Sequence, residues 1–300
     1  IALTAVLASW VDTSKRRYWT AAVAALLFGA FPFAYQAVPW INNFFYPLAN
    51  LLLLAMTAVY WQARVRGSNK LLFLAFLLLF LAPFEIEYGL MGSGLLFTVE
   101  LVLWLQKRQP YPWLTGPLIG LLLNVLFLVR SLTIPKQSYN FGLPTPGRLL
   151  LISTYFLQGL MYPISPLALW VMELTGWGDV AAIWLVSIPA LTVIIITLLR
   201  KGQGSLAFFS LAWFLLLNLP ALVFVDFTYV VNSPRLLYPP GVGIVILWGG
   251  FLAILAISEQ RTQFRFALAA LIVVLIVGFS ARFVRERNAQ YLLAQEPVLQ

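Results

Sequence analysis

The sequence contains no cysteine and no histidine, and only 10% of its 300 residues are charged. Without cysteine the chain can form no disulfide and offers no thiol nucleophile, and its redox compartment cannot be inferred. Without histidine it lacks the most common general base and the most common metal ligand. The sequence also lacks a Walker-type phosphate loop, a glycine-rich dinucleotide motif and a spaced set of metal ligands. These absences argue against soluble-nucleotide chemistry and against transition-metal chemistry.

Hydrophobic residues make up 62% of the chain, and the aromatic residues include 11 tryptophans and 12 tyrosines. Soluble domains carry about 25% charged residues, because a surface in contact with water needs polar cover. Tryptophan and tyrosine are enriched where a membrane meets water. The composition therefore predicts a protein whose partner is the lipid bilayer. We attribute the net charge of +9 to basic residues in loops, which set the orientation of the helices in the membrane, and not to nucleic-acid binding.

Long apolar runs recur along the whole chain, and a membrane-spanning helix needs about 20 apolar residues. They predict an all-α fold, a polytopic transmembrane helix bundle of about ten spans that forms a single domain over residues 1–300. The runs are 1–11, 19–34, 43–62, 70–84, 89–105, 113–130, 179–199, 205–225, 239–257 and 266–284. Because the chain begins inside the first run, we expect an N-terminally truncated domain.

Most of the 19 basic residues lie in five short loops. The positive-inside rule places these loops in the cytoplasm, so the remaining loops, which hold most of the ten acidic residues, face outside. The basic loops are 15–17, 64–70, 107–108, 200–201 and 261–265. We therefore expect a multi-pass integral membrane protein with its active face extracytoplasmic.

One further apolar stretch, 149–172, is interrupted by Pro163 and Pro166. If it crossed the membrane once, every later basic loop would move outside. The charge pattern therefore predicts a re-entrant or interfacial segment on the outer face. The alternative is a tight helical hairpin, which crosses the membrane twice and so leaves the later loops on the same side. Irregular backbone at membrane depth requires burial in protein or a water-filled cavity.

Two glutamates, Glu85 and Glu87, follow a span in the motif PFEIEYG at its outer end. Burial beside a membrane cavity would raise the pKa of one of them and make it a better base. They are our candidate catalytic residues in this chain. The alternative is a pair of solvated acids in an interfacial loop.

Three other charged residues in the outer loops are candidate ligands. Arg235, in NSPRLLYPPGVG, can bind a lipid phosphate through its planar fork of donors, or can be an interfacial arginine whose stem lies in the membrane. Arg148 suggests an anionic ligand or an interfacial anchor. Asp226, in VFVDFTY, can bind sugar hydroxyls or cap a helix.

Three polar residues lie inside the predicted spans. For Glu100 we expect an ion pair with a cytoplasmic lysine or arginine, although an ionisable group in a span marks function by default. For Asn124 and Asn218 we expect hydrogen bonds between helices.

The order of four motifs resembles the GT-C superfamily of membrane glycosyltransferases, and in particular the branch related to the tetratricopeptide-tailed O-mannosyltransferases. AALLFGAFPFAYQAVPWINN resembles a span ending in His-Pro-x-His-x-Glu-Ala-Val-x-Trp. APFEIEYGLMGSGLLFTVEL resembles Ser-Lys-Glu followed by an apolar run and an acid. LQGLMYPISPLAL resembles a proline-broken outer segment, and LAWFLLLNLPALVF with SPRLLYPPGVG resembles Trp-Phe…Leu-Pro and an Arg-Tyr-Leu-Tyr-Leu-Pro motif.

The resemblance implies transfer of a sugar from a polyprenyl-phosphate donor to an acceptor on the extracytoplasmic face. Arg235 would then bind the donor phosphate, with Tyr238, Gln36, Trp40, Asp226 and Arg148 among the substrate-binding residues. The resemblance also implies that the membrane is a bacterial inner membrane. The resemblance implies no certain cofactor, and it leaves open a divalent cation oriented by Glu85 or Glu87. The family's main catalytic acid lies in its first outer loop, which we expect upstream of Ile1.

This sequence departs from the family pattern at several places. Phe31 and Ala34 replace histidines, Gln36 replaces an acid, and Phe84 replaces a lysine. Two alternatives therefore remain, a lipid or solute transporter and a family member that has lost catalysis. A transporter often contains internal repeats with broken helices at corresponding positions, and we find no such repeat.

Overall fold

The computed structural model describes residues 1–38, 43–109, 113–132, 145–225, 227–256 and 262–295, and this part of the chain contains helices and turns but no β-strand. The all-α class is confirmed. The helices are α1 (Ala2–Val11), α2 (Arg17–Gly29), α3 (Ala34–Ala37), α4 (Phe45–Arg66), α5 (Asn69–Glu85), α6 (Gly92–Leu105), α7 (Thr115–Leu132), α8 (Pro146–Leu160), α9 (Pro166–Thr175), α10 (Asp179–Arg200), α11 (Gly204–Phe224), α12 (Phe227–Asn232), α13 (Gly241–Ala256) and α14 (Thr262–Gln295). Two short 3₁₀ helices, Glu87–Met91 and Pro234–Leu237, complete the described elements.

Four segments among the described residues are long and apolar enough to cross a membrane: Phe45–Arg66, Tyr88–Leu105, Asp179–Arg200 and Gly204–Leu222. Large apolar side chains cover much of the outer surface, and Leu118 and Leu215 are each 61% exposed. Soluble proteins rarely present so much apolar surface to water. Together these features indicate an integral membrane protein. The count of about ten spans, the sidedness and the single-domain organisation stay predictions.

The hairpin of α4 and α5 shows how local sequence ends one helix and begins the next. Gly67 follows α4 with φ 64°, in the left-handed region that glycine adopts without a steric penalty. Ser68 then caps α5, and its hydroxyl accepts a hydrogen bond from the backbone N–H of Leu71 at 3.5 Å. Because the connection is this short, α4 and α5 pack against each other along their length.

The centre of the molecule is α13, in which nearly every residue is buried. Two glycines let neighbouring helices approach its backbone. A Cβ at Gly243 would clash with the carbonyl oxygen of Ser210 in α11, and one at Gly249 would lie 3.0 Å from the carbonyl oxygen of Thr20 in α2. Small residues at helix contacts are typical of membrane bundles, because packing rather than the hydrophobic effect joins helices in lipid.

The proline-broken stretch divides into α8 and α9, joined by a turn at residues 161–165. The indole N–H of Trp248, in the middle of α13, donates to the carbonyl oxygen of Leu160 at 3.0 Å. Met161 and Tyr162 are buried and residues 163–165 are partly buried, so the turn is largely covered by protein. The two helices pack against α10 rather than along each other, which argues against the tight-hairpin alternative. The break is thus confirmed, and its relation to the membrane stays a prediction.

The two asparagines predicted to join helices behave differently. The Nδ2 of Asn124, in α7, donates to the carbonyl oxygen of Leu90 at 2.6 Å and to the hydroxyl of Ser93 at 3.1 Å, so this prediction is confirmed. The prediction for Asn218 is wrong. Its Nδ2 donates to the carbonyl oxygen of Phe214, one turn earlier in α11, at 2.8 Å. A bond within its own helix satisfies this donor without any neighbour.

Candidate functional site

The predicted outer ends of several helices meet around the two 3₁₀ helices. The segment 234–237 contacts α3, α11 and α12, and the segment 87–91 contacts α4, α5 and α11. Proline causes this irregular backbone, since it removes a donor and cannot continue a helix. Pro234 begins one 3₁₀ helix, and Pro83 lies in the last turn of α5 before the other. Gly89 is also required here, because a Cβ would clash with the backbone of Ala82.

Arg235 lies in the second 3₁₀ helix, half-buried between two tyrosines. Its Nη2 donates to the hydroxyl of Tyr229 at 2.8 Å. Its guanidinium carbon lies 5.5 Å from the ring centroid of Tyr229 and 5.9 Å from that of Tyr46. Burial lowers the pKa of Arg235, but interactions with the hydroxyls of Tyr229 and Tyr46 raise it by more, so the side chain stays charged.

The Nε of Arg235 is buried and has no hydrogen-bond partner among the described residues. No carboxylate in the described part of the chain pairs with this guanidinium. A buried donor on a cation without a partner is costly, because its hydration is lost and nothing replaces it. The arrangement favours an anionic oxygen as the missing partner.

One further tyrosine, Tyr88, holds the Arg235 segment in place. The hydroxyl of Tyr88 donates to the carbonyl oxygen of Leu236 at 3.1 Å, which ties the two 3₁₀ helices together. The ring of Tyr88 lies 6.1 Å from that of Tyr46 at the start of α4. Because Leu236 follows Arg235 directly, these contacts position the arginine from the backbone side.

Tyr238 lies at the end of the same segment and faces inward. Its ring centroid is 5.5 Å from that of Phe28. Burial raises the pKa of Tyr238, and the nearby amide of Asn50 offsets this only in part, so the phenol is neutral at physiological pH. Phe28 stacks on Phe31, and the ring of Tyr162 meets Phe31 edge-on at 5.4 Å. A series of aromatic contacts therefore runs from Tyr238 to Tyr162 at the helix break.

Arg148 belongs to a different part of this end. It lies in the first turn of α8, and its Nη2 donates to the carbonyl oxygen of Val225 at 2.6 Å. No described contact joins it to Arg235. Asp226 follows Val225 and lies outside the described residues. Arg148 therefore connects α8 to the segment after α11, and its predicted role in substrate binding is untested.

Of the remaining candidates, Glu85 is the best described. It ends α5, is half-buried, and makes no hydrogen bond or ion pair within the described ranges. Glu85 lies three residues before Tyr88, which places it on the same end of the bundle as Arg235. The side chains of Glu87 and Gln36, and all of Trp40, lie outside what the structure describes. Their predicted roles stay predictions.

Sequence reasoning missed Tyr46 and Tyr88 as neighbours of Arg235. Both lie at the outer end of an apolar run, where a tyrosine is expected in any membrane protein as an interfacial residue. The sequence alone therefore does not distinguish these two tyrosines from ordinary interfacial residues. Only the packing of α4 and the 3₁₀ helix 87–91 against the segment 234–237 distinguishes them from other interfacial aromatics.

A second cluster of charged residues surrounds Glu100. It lies at the end of the molecule that carries the basic loops 64–70 and 107–108, which we call the basic end. This carboxylate is fully buried, and one of its oxygens accepts bonds from Arg64 Nε at 2.5 Å and from the Tyr60 hydroxyl at 2.8 Å. Its other oxygen accepts from the backbone N–H of Trp113 at 2.8 Å. The predicted ion pair of Glu100 with a basic residue is confirmed. Every described contact of Glu100 is internal, which indicates a structural role.

Among the described residues, no group of three or more aspartate, glutamate, histidine or cysteine side chains converges to hold a metal ion. Comparison of the chain with protein-family models, curated proteins and solved structures finds no match. The GT-C resemblance therefore stays a prediction from the motifs.

Proposed function

We propose that this protein is a membrane glycosyltransferase that moves a sugar from a polyprenyl-phosphate-linked donor to an acceptor on the extracytoplasmic face. The observation that carries the proposal is Arg235, a half-buried cation between Tyr229 and Tyr46 whose Nε lacks a partner among the described residues. The motif order and the placement of the basic loops at the opposite end support it.

The chemistry of Arg235 suits a phosphate at the membrane surface. Guanidinium binds phosphate through short, charge-assisted hydrogen bonds of about 2.7–2.9 Å, which give geometry as well as charge. One donor, Nη2, is already oriented by Tyr229, so the guanidinium plane is fixed before a ligand arrives. A donor fixed in advance stabilises developing charge without reorganisation cost.

The surroundings also suit a lipid tail. Phe44, one residue before α4, is 62% exposed, and Tyr229 is 47% exposed. In a membrane these side chains face lipid or headgroups. A donor whose phosphate binds Arg235 would thus leave its prenyl chain in the bilayer, beside α4 and α12. Such a donor enters from the membrane and needs no aqueous nucleotide site.

The proposed reaction is a substitution at the sugar's anomeric carbon. The bond from that carbon to the phosphate oxygen breaks, and a new bond to an acceptor oxygen forms. The acceptor loses its proton to a carboxylate, for which Glu85 and Glu87 are the candidates within this chain. The polyprenyl phosphate leaves with the added negative charge, and Arg235 stabilises that charge.

The test uses purified protein in nanodiscs with a panel of polyprenyl-phosphate hexoses and pentoses, and it measures release of polyprenyl phosphate. Removal of a donor that stabilises developing charge costs about 10²–10³ in rate, so Arg235→Ala should lose turnover by that factor. Arg235→Lys should recover part of it. Arg282→Ala, which removes an exposed arginine of α14, is the matched control and should leave turnover unchanged.

Two results would contradict the proposal. If Arg235→Ala turns over at the wild-type rate, the arginine does not serve the reaction. If no donor in the panel is consumed although polyprenyl phosphate binds, the protein is a transporter or a binding protein and not a transferase.

A further inference from the structure

A second candidate anion site lies at the basic end, far along the chain from Arg235. A cavity of about 400 Å³ opens after α6 and is lined by Trp104, Lys107, Arg108 and Gln109. Within the described ranges neither Lys107 nor Arg108 forms an ion pair. The cavity thus combines two unpaired cations with an indole and an amide, and no acid is among its lining residues.

The backbone at this cavity is held in an uncommon conformation. Lys107 has φ 54° and is the only non-glycine residue with positive φ in the described part of the chain. Three other turns in that part place glycine at positive φ, namely Gly67, Gly176 and Gly202. A side chain in the left-handed region costs conformational energy that glycine avoids. Such an outlier justifies a search for function at that residue.

Hydrogen bonds of the helix end fix this conformation. The N–H of Arg108 donates to the carbonyl oxygen of Leu103, and the N–H of Lys107 donates to that of Trp104, each at 2.9 Å. This is the pattern of a Schellman motif, which normally carries glycine at the position of Lys107. The motif sends the two basic side chains out of the helix end on adjacent residues.

The buried cluster of Glu100 helps to hold the residues that line the cavity. The Nε2 of Gln109 donates to the carbonyl oxygen of Arg64 at 3.1 Å, and Arg64 is held by Glu100. The guanidinium of Arg108 lies 5.9 Å from the ring centroid of Trp61 in α4. Gln109 and Arg108 are therefore held in part before a ligand binds, which reduces the entropy lost on binding.

The position of the cavity indicates where its ligand comes from. It lies at the end of the candidate span Tyr88–Leu105, and Trp104 and Leu105 are each 47% exposed. An exposed tryptophan at the end of a span lies at headgroup level. A ligand that meets both the indole and the two cations carries its anionic group at the membrane surface.

We propose that Lys107, Arg108, Gln109 and Trp104 form a binding site for the phosphate headgroup of an anionic phospholipid. The two cations bind the phosphate, the Gln109 amide lies beside it, and the exposed Trp104 contacts the acyl-chain boundary. The site is separate from Arg235 and does not depend on the proposed transferase activity.

The test titrates detergent-solubilised protein with phosphatidylglycerol and phosphatidylcholine, and native mass spectrometry counts the bound lipids. Lysine and arginine at a membrane surface each strengthen binding of anionic lipid by about fivefold, so Lys107→Gln with Arg108→Gln should weaken phosphatidylglycerol binding by about twenty-five-fold. Phosphatidylcholine binding should be weak in both proteins. The matched control is Arg200→Gln with Lys201→Gln, which removes the same charge from another exposed helix end and should retain binding.

A single variant keeps the proposal testable even if the double variant misfolds. Lys107→Gly removes the charge and relieves the positive φ, so it should raise the melting temperature while it weakens phosphatidylglycerol binding. Wild-type binding by Lys107→Gly would overturn the proposal, as would equal losses in the 107/108 and 200/201 variants, which would indicate a diffuse positive field. Inorganic phosphate that displaces the lipid at equal concentration would overturn the assignment to a lipid.

Discussion

The two ends of the molecule treat buried charge in opposite ways. At the basic end, Glu100 is fully buried and accepts bonds from Arg64, Tyr60 and the backbone of Trp113. At the other end, Arg235 is half-buried among tyrosines, and its Nε has no partner among the described residues. The first charge is neutralised by its own chain. The second is provided with neighbours that orient it but do not neutralise it.

This difference separates a structural cluster from a candidate binding site. Removing one partner of a buried ion pair is strongly destabilising, since it leaves the other charge uncompensated. A cation with no such partner contributes little to stability and remains able to bind an anion. We therefore expect substitution of Glu100 or its partners mainly to affect folding, and substitution of Arg235 mainly to affect ligand binding.

The largest expected effect is that of Glu100→Ala. It leaves Arg64, Tyr60 and the N–H of Trp113 without their acceptor, and breaking a buried pair costs about 3–5 kcal/mol in the free energy of unfolding. Denaturant unfolding in detergent micelles measures the change. Glu286→Ala, which removes an exposed carboxylate paired with Arg282, is the control and should change stability by less than about 0.5 kcal/mol. Similar results for the two variants would contradict the structural role.

An intermediate effect is expected for Tyr60→Phe. The hydroxyl of Tyr60 donates to an ionised acceptor at 2.8 Å, and such bonds contribute about 1.5–3 kcal/mol. The variant keeps the ring and its packing, so the loss in unfolding free energy reports the hydrogen bond alone. An unchanged unfolding free energy would mean that the ring, and not the hydroxyl, supports the cluster.

A smaller effect is expected for Tyr88→Phe at the opposite end. Its hydroxyl donates to a neutral carbonyl oxygen, that of Leu236, and a neutral hydrogen bond contributes about 1 kcal/mol. The same unfolding experiment checks this value. If Tyr88→Phe destabilised the protein as much as Tyr60→Phe, the contrast between the two ends would fail.

The smallest effect on stability is expected for Tyr229→Phe. Tyr229 is 47% exposed, and substitutions at such positions usually change the unfolding free energy by less than about 0.5 kcal/mol. The variant frees Nη2 of Arg235 and removes the bond that orients the guanidinium, so affinity for polyprenyl phosphate should fall by about threefold. Unchanged affinity with lowered stability would assign Tyr229 to the fold and not to the site.

The sequence predicted the elements of this fold better than their contacts. Apolar runs predicted the helices, two prolines predicted the break at 161–165, and the cost of a charge in a span predicted that Glu100 is paired. The identity of its partners needed the structure, because Tyr60 and Arg64 precede Glu100 by 40 and 36 residues.

The Arg235 site was predictable only in part for the same reason. Its own motif marked the arginine, and Tyr229 lies six residues away in sequence. The contribution of Tyr88 depends on a contact across 148 residues, which no periodicity or propensity encodes. Asn218 shows that a polar residue in a span does not always predict a contact between helices, since its side chain can form a hydrogen bond within its own helix.

The most direct test of the central claim is a structure determined with polyprenyl phosphate added to the protein in nanodiscs. The account predicts a phosphate oxygen within about 2.7–2.9 Å of the Nε of Arg235, with Tyr229 still bonded to Nη2. A phosphate bound elsewhere, or an Nε paired with a carboxylate of the chain, would contradict it.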